Sequence, residues 1–256
     1  LTLAEQGVSV ALCEKGRVAA EQSSRNWGWI RKQGRDPAEL PLMIEASSVW
    51  ERTAATLDED IGFARRGITY VFETEAEEAQ RADWLERAKP FQLDSRMLSA
   101  AETAALLGRD DRAFRGAIHT PSDATAEPSC AVPAVARRLR ALGGAVLEGC
   151  AVRALDLEGG RVRGVVTERG RIGCEAVILA GGAWSRTFLE NHGSRLPQLA
   201  VTSSAQRTQA LPEIARGRVG AAGASFRRRG DGGYTLARTG AARLDLTPAA
   251  FAHLRA

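Results

Sequence analysis

The sequence predicts an α/β fold in which a three-layer domain is interrupted by a mainly antiparallel β domain. Residues 8–16, "VSVALCEKG", have the pattern of a buried strand that ends on an acidic residue, Glu14. The seven residues before it have the pattern of the end of an amphipathic helix. Beyond residue 196, apolar and polar residues alternate along several short segments, which is typical of antiparallel strands.

The helix and strand around Glu14 match the second half of a Rossmann-like, nucleotide-binding βαβ unit. In such a unit a glycine-rich turn precedes the helix, and the acidic residue lies about 20 positions later. Only thirteen residues precede Glu14, so we expect the glycine turn and first strand to lie upstream of Leu1. The last residues have the pattern of an interrupted helix. We therefore expect this chain to be part of a longer nucleotide-cofactor enzyme.

The elements between residues 17 and 109 follow from local signals. Residues 17–36 are polar, contain two tryptophans and have no regular period, which predicts a long loop of functional importance. Asp36-Pro37 predicts the start of a helix over residues 38–57. A strand pair is expected over residues 63–74 and a charged helix over 75–89. Ser99, with Glu102 three residues later, predicts a capping box.

The remaining elements alternate between strands and helices. A strand and a turn-rich loop are expected over residues 116–128, followed by a helix that ends at Gly143-Gly144. Residues 145–175 predict a β-meander with turns at "EGGR" and "ERGR". The apolar residues 176–180 predict a strand that runs into a short helix near Trp184.

The composition excludes several classes of protein. The net charge is +4, but arginines and acidic residues are interleaved, so no nucleic-acid-binding stripe is present. No apolar run approaches the roughly 20 residues of a membrane span. The four cysteines and three histidines lack metal-ligand spacing, and we interpret the cysteines as reduced thiols. The run Arg227-Arg228-Arg229 is interpreted as the exposed end of a hairpin, with contact to an anionic ligand as the alternative.

Several segments, in their order, resemble the FAD-dependent D-amino acid oxidase and dehydrogenase family, which includes glycine and sarcosine oxidases. These are "VALCEKG", "SSRNWGWIRKQGRDP", "DATAEPSCAVPAVARRLRALGGAVLEGCAVRAL", "EAVILAGGAWS" and "GGYTLA". The resemblance implies FAD as cofactor. It assigns residues 1–60 and 110–195 to the FAD-binding domain, and residues 61–109 and 196–256 to the substrate domain.

The resemblance also implies which residues bind FAD. Glu14 is expected to accept hydrogen bonds from the ribose hydroxyls of the adenosine, with Lys15 nearby. The backbone of Val152 is expected to pair with adenine. The other implied contacts are to the pyrophosphate and ribityl chain (Ser23, Ser24, Arg25), to the flavin ring (Asn26, Trp27, Gly28) and to the adenosine and pyrophosphate (Ala180, Gly181, Gly182, Trp184). For each of these, the alternative is an ordinary structural or surface role.

An amino-acid substrate requires a cation for its carboxylate, most simply a bidentate arginine. Arg31, which follows the flavin-loop segment, is the first candidate, and Arg207 is the next. Tyr234 is expected to close the site over the substrate. All three have structural or surface roles as alternatives, and His119 is expected to be structural.

The predicted function is oxidation of the C–N bond of a small amine or D-amino acid by hydride transfer to flavin. Electrons would then pass to oxygen or to a membrane quinone. The alternatives are a flavin oxidoreductase acting on a C–O bond, such as that of a 2-hydroxy acid, and an inactive truncated homologue or subunit. We expect a cytoplasmic location, with peripheral attachment to the inner face of the membrane as an alternative.

Overall fold

The computed structural model describes residues 1–109, 114–239, 243–245 and 251. The helices are α1 (Thr2–Glu5), α2 (Gln22–Arg25), α3 (Leu40–Thr56), α4 (Glu75–Ala88), α5 (Ala100–Leu107), α6 (Pro128–Ala141) and α7 (Ser185–Glu190). Short 3-10 helices cover Pro37–Glu39, Lys89–Phe91 and Gly182–Trp184. The helix predicted at the end of the chain and the predicted domain boundary at residue 110 lie outside the described residues.

The strands alternate with these helices along the chain, which makes the fold α/β as predicted. They are β1 (Ala11–Cys13), β2 (Trp29–Ile30), β3 (Ala64–Arg65), β4 (Ile68–Phe72), β5 (Arg96–Ser99), β6 (Gly116–Thr120), β7 (Ala124–Thr125), β8 (Ala145–Leu147), β9 (Val152–Glu158), β10 (Arg161–Thr167), β11 (Gly170–Gly173), β12 (Val201–Thr202), β13 (Ala205–Ala210), β14 (Arg218–Gly220), β15 (Ala224–Arg228), β16 (Gly233–Arg238) and β17 (Arg243–Leu244).

Tertiary contacts divide the chain into two compact units. The first unit consists of residues 1–24, 132–202 and 242–256, and the second of residues 25–131 and 203–241. These bounds differ from the domain bounds expected from the sequence, and the assignment of the domains to cofactor and substrate stays a prediction. Each unit is described by itself below.

The first unit contains a parallel pair and a β-meander. Strands β1 and β8 are parallel, with Leu12 opposite Val146. Strands β9, β10 and β11 form the predicted antiparallel meander. Gly159 and Gly160, at the turn predicted from "EGGR", both have positive φ (56° and 76°), a conformation that glycine adopts without strain.

The strand predicted over residues 176–180 is wrong. The segment belongs to no strand, and the Ile178 side chain is 76% exposed. An apolar run becomes a strand only when a neighbour pairs with its backbone N–H and C=O groups. No strand among the described residues pairs with this segment.

The second unit is built on a seven-stranded mixed sheet with the order β13-β16-β15-β14-β4-β6-β5. Only the pair β14 and β4 is parallel within the described part of this sheet. A separate three-stranded sheet has the order β2-β7-β3. The strand pair predicted over residues 63–74 is therefore corrected: β3 pairs with β7, whereas β4 pairs with β6 and β14.

The core of the second unit lies on both faces of this large sheet. All five residues of β6 are buried. Ala117 packs in one apolar cluster with Leu98 and Leu107, and its neighbour Ile118 packs in another with Trp84. Because successive strand residues point to opposite faces, helices α5 and α4 supply side chains to opposite sides of the sheet.

The ends of the helices follow the signals in the sequence. The predicted capping box of α5 is present, since Ser99 Oγ accepts from the N–H of Glu102 and the Glu102 carboxylate accepts from the N–H of Ser99. The helix ends at Gly108, whose φ is +67°. Among the described residues, no helix is long and apolar enough to cross a membrane.

Candidate functional site

Glu14 follows β1 at the carboxyl end of the parallel pair in the first unit. Its N–H donates to the carbonyl of Leu147, and its own carbonyl accepts from the N–H of Cys150, both over 2.9 Å. The carboxylate Oε1 accepts from the N–H of Gly16 over 2.7 Å. A carboxylate has about four acceptor positions. A side chain held at this edge of a parallel pair therefore fits the predicted bonds to ribose hydroxyls.

Lys15 and Trp184, which the family resemblance assigns to the same cofactor, lie together in the first unit. The Lys15 ammonium lies 4.9 Å from the centroid of the Trp184 ring and 2.9 Å from Glu21 Oε1. The Trp184 side chain is 60% exposed. An exposed aromatic ring beside a cation offers a planar face to a ligand, although the contact itself contributes only about 0.5–1 kcal/mol at an exposed site.

The other predicted cofactor residues of the first unit present mainly backbone and small side chains. Val152 is the first residue of β9 and lies opposite Thr167 of β10. Ala180, Gly181 and Gly182 are exposed and precede α7, and Gly182 has a φ of +55°. Ser23 and Ser24 lie in α2, where Ser24 Oγ donates to the carbonyl of Glu21 over 3.4 Å.

The segment that the resemblance assigns to the flavin ring, residues 26–28, lies in the second unit and forms a tight turn. Arg25 ends α2 and is exposed. Asn26 Oδ1 accepts from the N–H of Gly28 over 2.7 Å, and the Gly28 carbonyl accepts from the N–H of Ala126 over 3.0 Å. Gly28 has a φ of +73°, and a Cβ at this position would lie 2.3 Å from the carbonyl oxygen of Ala126. Only glycine fits this turn beside Trp27 without displacing backbone.

A buried ion pair lies against this segment. Arg227, which is 3% exposed, donates from Nε to the carbonyl of Trp27 over 2.8 Å. Its two other guanidinium nitrogens donate to the two carboxylate oxygens of Glu127. Burial alone would raise the pKa of the Glu127 carboxyl, but the hydrogen bonds and charge of Arg227 bring it below its usual value of 4.5. The carboxylate is therefore the stable form in the folded protein.

The interpretation of Arg227-Arg228-Arg229 as an exposed hairpin end is wrong for two of its three residues. Arg227 and Arg229 are 3% and 8% exposed, while Arg228 is exposed. Arg229 donates to the carbonyls of Thr208 and Tyr234 and to the carboxylate of Asp231. Alternate residues of a strand point to the same face. Arg227 lies in β15 and Arg229 directly follows it, so these two side chains point inward while Arg228 points outward.

The three predicted catalytic residues have separate partners in the second unit. Arg31 donates to the carbonyl of Gln33 over 2.6 Å, and its guanidinium lies 5.7 Å from the centroid of the Tyr70 ring. Arg207 is exposed and lies 3.5 Å from Asp231. Tyr234 is 1% exposed, and its hydroxyl accepts from the N–H of Ile214 over 3.0 Å. The contacts of Tyr234 are those of a structural residue, and the catalytic roles of all three stay predictions.

His119, expected to be structural, is buried on β6. Its Nδ1 lies 2.9 Å from Thr69 Oγ1, and burial lowers the pKa of the imidazole. The geometry is that of a neutral core histidine with a hydroxyl partner.

Sequence reasoning missed Arg218, the most distinctive cation of the second unit. Arg218 is 8% exposed, and its Nε and one terminal nitrogen donate to Thr125 Oγ1 over 3.2 and 2.8 Å. Burial, with the charges of Arg66 and Arg227, lowers the pKa of Arg218 to about 10. Thr125 lies opposite Trp29 in the three-stranded sheet, and Trp29 directly follows the 26–28 segment in the chain. The short strand "RVG" gave no signal in the sequence that its arginine points inward.

The fold is that of an α/β protein, and an acidic residue at the carboxyl end of a parallel strand is typical of nucleotide-cofactor proteins. The profile of the DAO family, FAD dependent oxidoreductase, matches residues 1–256, and the chain belongs to this family. FAD is the cofactor of the family, which confirms the expectation from the resemblance.

Individual relatives agree with this membership. The chain is 37% identical over 156 residues to a D-amino acid dehydrogenase of Sinorhizobium medicae, covering 59% of this chain and 36% of the relative. It is 27% identical over 195 residues to the sarcosine oxidase subunit beta of an Arthrobacter species, covering 74% of this chain and 48% of the relative. The structure of L-amino acid deaminase from Proteus myxofaciens in complex with anthranilate has a TM-score of 0.91 and 30% identity, covering 98% of this chain and 57% of that one.

These relatives are named for small amino-acid or amine substrates. The chain spans half or less of the length of these two curated relatives. A more distant likeness, to L-proline dehydrogenase from P. horikoshii at 22% identity and a TM-score of 0.85, concerns the fold alone.

Proposed function

We propose that this protein oxidises the C–N bond of a small amine or amino acid with FAD as cofactor. The observation that carries the proposal is the buried guanidinium of Arg218. It donates to Thr125, whose strand partner Trp29 directly follows the segment that the family resemblance assigns to the flavin ring. When bound by the residues assigned to it, FAD would supply the two-electron oxidation of the C–N bond, and the product imine would hydrolyse in water. The protein's own contribution is to bind, orient and electrostatically match the substrate.

Cofactor binding is assigned to the predicted residues because their chemistry fits the parts of FAD. The free acceptor positions of the Glu14 carboxylate suit ribose hydroxyls, and the exposed ring of Trp184 beside Lys15 suits the adenosine-pyrophosphate end. Gly28 fixes the turn next to Trp27, since its positive φ and its close approach to the Ala126 carbonyl leave room for no side chain. We also keep, as part of this proposal, the assignment of residues 1–60 and 110–195 to FAD and of residues 61–109 and 196–256 to the substrate.

Arg218 is proposed as the residue that binds the substrate carboxylate. Its side chain is buried, and among the described residues its hydrogen-bond acceptor is a single hydroxyl, that of Thr125. A buried guanidinium with this partner has fork-shaped donors suited to a carboxylate. By contrast, Arg207 is exposed beside Asp231, and the Arg31 guanidinium lies over the Tyr70 ring, 5.7 Å from its centroid.

The conservative variant Arg218→Lys tests this assignment. The variant keeps the charge but loses the bidentate geometry, so we expect KM for an amino acid to rise roughly 10- to 100-fold, from the loss of about 1.5–3 kcal/mol of charged hydrogen bonding. Arg207→Lys and Arg31→Lys are the matched variants for the two predicted alternatives. If KM rose strongly in one of these variants and did not rise in Arg218→Lys, the arginine replaced in that variant, and not Arg218, would be the residue that binds the substrate carboxylate.

The visible absorption spectrum of the protein reconstituted with FAD tests the proposed function itself. We expect flavin bands that bleach when D- or L-amino acids are added without oxygen. Bleaching by a 2-hydroxy acid and not by amino acids would contradict C–N oxidation. If the protein showed no flavin bands after reconstitution, the assignment of FAD-binding residues would be wrong.

The electron acceptor is proposed to be oxygen or a membrane quinone, and the location cytoplasmic or peripheral to the inner face of the membrane. Oxygen consumption compared with reduction of a soluble quinone analogue separates the two acceptors. Sedimentation of the protein with lipid vesicles tests the membrane association.

A further inference from the structure

Arg227 joins parts of the second unit that are far apart in the chain. Its Nε donates to the carbonyl of Trp27, which lies 200 positions earlier, over 2.8 Å. Its terminal nitrogens hold both oxygens of Glu127, which lies 100 positions earlier, with one of these distances at 3.0 Å. Each of the three guanidinium nitrogens therefore donates to one of two targets, a backbone carbonyl or a carboxylate.

Glu127 extends the same connection to two further segments. Its Oε1 also accepts from the N–H of Gly230 over 3.2 Å, just beyond β15. Its backbone N–H donates to the carbonyl of Ile61 over 2.8 Å. A Cβ on Gly62 would lie 2.7 Å from Glu127 Cγ, so the glycine leaves room for this side chain. The Arg227–Glu127 pair thus fixes residues 26–28 to the end of β15 and to residues 61–62.

The energetics of this pair do not favour a purely stabilising role. The side chains of Arg227 and Glu127 are only 4% and 15% exposed. The cost of removing two charges from water offsets most of their attraction, so a well-packed apolar pair of similar volume often stabilises a fold equally well. An apolar pair could not, however, hold the Trp27 carbonyl by a hydrogen bond. What the ion pair adds is a fixed direction for the backbone at Trp27 and Gly28.

We propose that the Arg227–Glu127 pair is a positioning device that sets the backbone of Trp27 and Gly28 for contact with the flavin ring. This inference rests on the proposed function, since it concerns the orientation of the segment assigned to the cofactor. Arg227 and Glu127 act through this segment and are positioning residues. Loss of the pair leaves the segment in place, joined through Ala126, but with a range of orientations.

The variant Arg227→Lys tests the proposal. A lysine has one nitrogen and cannot reach the Trp27 carbonyl and both Glu127 oxygens together. Arg229→Lys is the matched control, because Arg229 is as deeply buried on the same hairpin and also holds backbone carbonyls, but those of Thr208 and Tyr234. Both variants are expected to lower the melting temperature, so thermal stability alone does not distinguish them.

Two readouts distinguish positioning from general stability. We expect Arg227→Lys to weaken FAD binding and to lower kcat by roughly 10- to 100-fold with little change in KM, which is the scale of a misplaced reacting group. Arg229→Lys is expected to leave FAD affinity and kcat within about 3-fold of the parent, because the hydrogen bonds of Arg229 go to Thr208, Tyr234 and Asp231 and not to Trp27 or Glu127. Equal losses of FAD affinity in the two variants would overturn the proposal.

The second readout needs neither FAD nor activity. The rings of Trp27 and Trp29 meet edge to face with centroids 5.7 Å apart, and such a pair gives a near-ultraviolet circular dichroism signal that depends on geometry. We expect this signal to change in FAD-free Arg227→Lys and to persist in Arg229→Lys. An unchanged signal in Arg227→Lys would overturn the positioning role, even if the parent protein bound no FAD. If the signal changed in Arg227→Lys but the parent bound no FAD, the Arg227–Glu127 pair would still position the Trp27 backbone, and the proposed function would be rejected.

Discussion

Gly28→Ala is the sharpest test of the geometry at the candidate flavin segment. Gly28 has a φ of +73°, and the new Cβ would lie 2.3 Å from the Ala126 carbonyl and 3.0 Å from an Arg227 nitrogen. The left-handed backbone costs about 1–2 kcal/mol for a residue with a Cβ. Relief of the clash requires the two segments to separate. This separation costs about 1–3 kcal/mol in overpacking and about 1 kcal/mol for the hydrogen bond between Ala126 N–H and the Gly28 carbonyl.

Gly217→Ala isolates the contact from the backbone strain. Gly217 lies in the same unit with a φ of +89°, and a Cβ there would meet nothing within 4 Å. Both variants therefore carry the conformational cost, and only Gly28→Ala carries the additional 2–4 kcal/mol or so worked out above. At about 3 °C per kcal/mol, Gly28→Ala should melt roughly 6–12 °C below Gly217→Ala by differential scanning calorimetry. Equal melting temperatures would refute the close approach of Gly28 to Ala126.

Three further predictions follow from the site and the helix ends. Glu14→Gln should weaken FAD binding roughly 10-fold by equilibrium titration, because a charged acceptor becomes a neutral one, whereas the exposed Glu5→Gln should not. Glu127 has a depressed folded-state pKa, so it stabilises the fold above the ordinary value of 4.5 and this contribution is lost as pH falls through the folded pKa. Urea unfolding at neutral and acid pH should therefore show a smaller acid-induced loss of stability in Glu127→Gln than in the parent. Ser99→Ala removes the capping bond to the N–H of Glu102 and should lower the free energy of unfolding by about 1 kcal/mol in the same assay; no change would contradict the cap.

Local signals in the sequence predicted local structure well. The capping box at Ser99 and the meander turns depend on residues a few positions apart, and the structure confirms both. The acidic residue at the end of β1 was likewise predicted at the carboxyl end of a strand. For the capping box and the turns, the partners that determine the structure lie within the segment itself, whereas β1 also requires β8, which lies more than 100 positions later.

Long-range partners are what the sequence could not supply. Residues 176–180 are as apolar as a buried strand, but a strand also requires a paired neighbour, which composition does not encode. Arg227 looked exposed because arginines usually are. Its carboxylate partner lies 100 positions earlier, in a segment with no feature that marks it as the partner. Alternation along β15 was the one available signal, since Ser225 and Arg227 share the buried face.

Two buried arginines near the 26–28 segment, Arg218 and Arg227, have different hydrogen-bond partners, and this difference has a functional explanation. Arg218 and Arg227 lie directly opposite each other on β14 and β15, but the carboxylate of Glu127 is engaged by Arg227 at both oxygens. Thr125 gives Arg218 a hydroxyl and no charge. Burial lowers the pKa of Arg218 and the Glu127 charge opposes this shift, but both Glu127 oxygens accept from Arg227, so the hydrogen-bond acceptor of Arg218 is neutral. A buried cation whose bonded partner is neutral weakens a fold, and an apolar residue at position 218 would avoid that cost. Under the proposed function, a substrate carboxylate would supply a charged acceptor, so the arrangement that is unfavourable in the free protein would favour binding of an amino acid through its carboxylate.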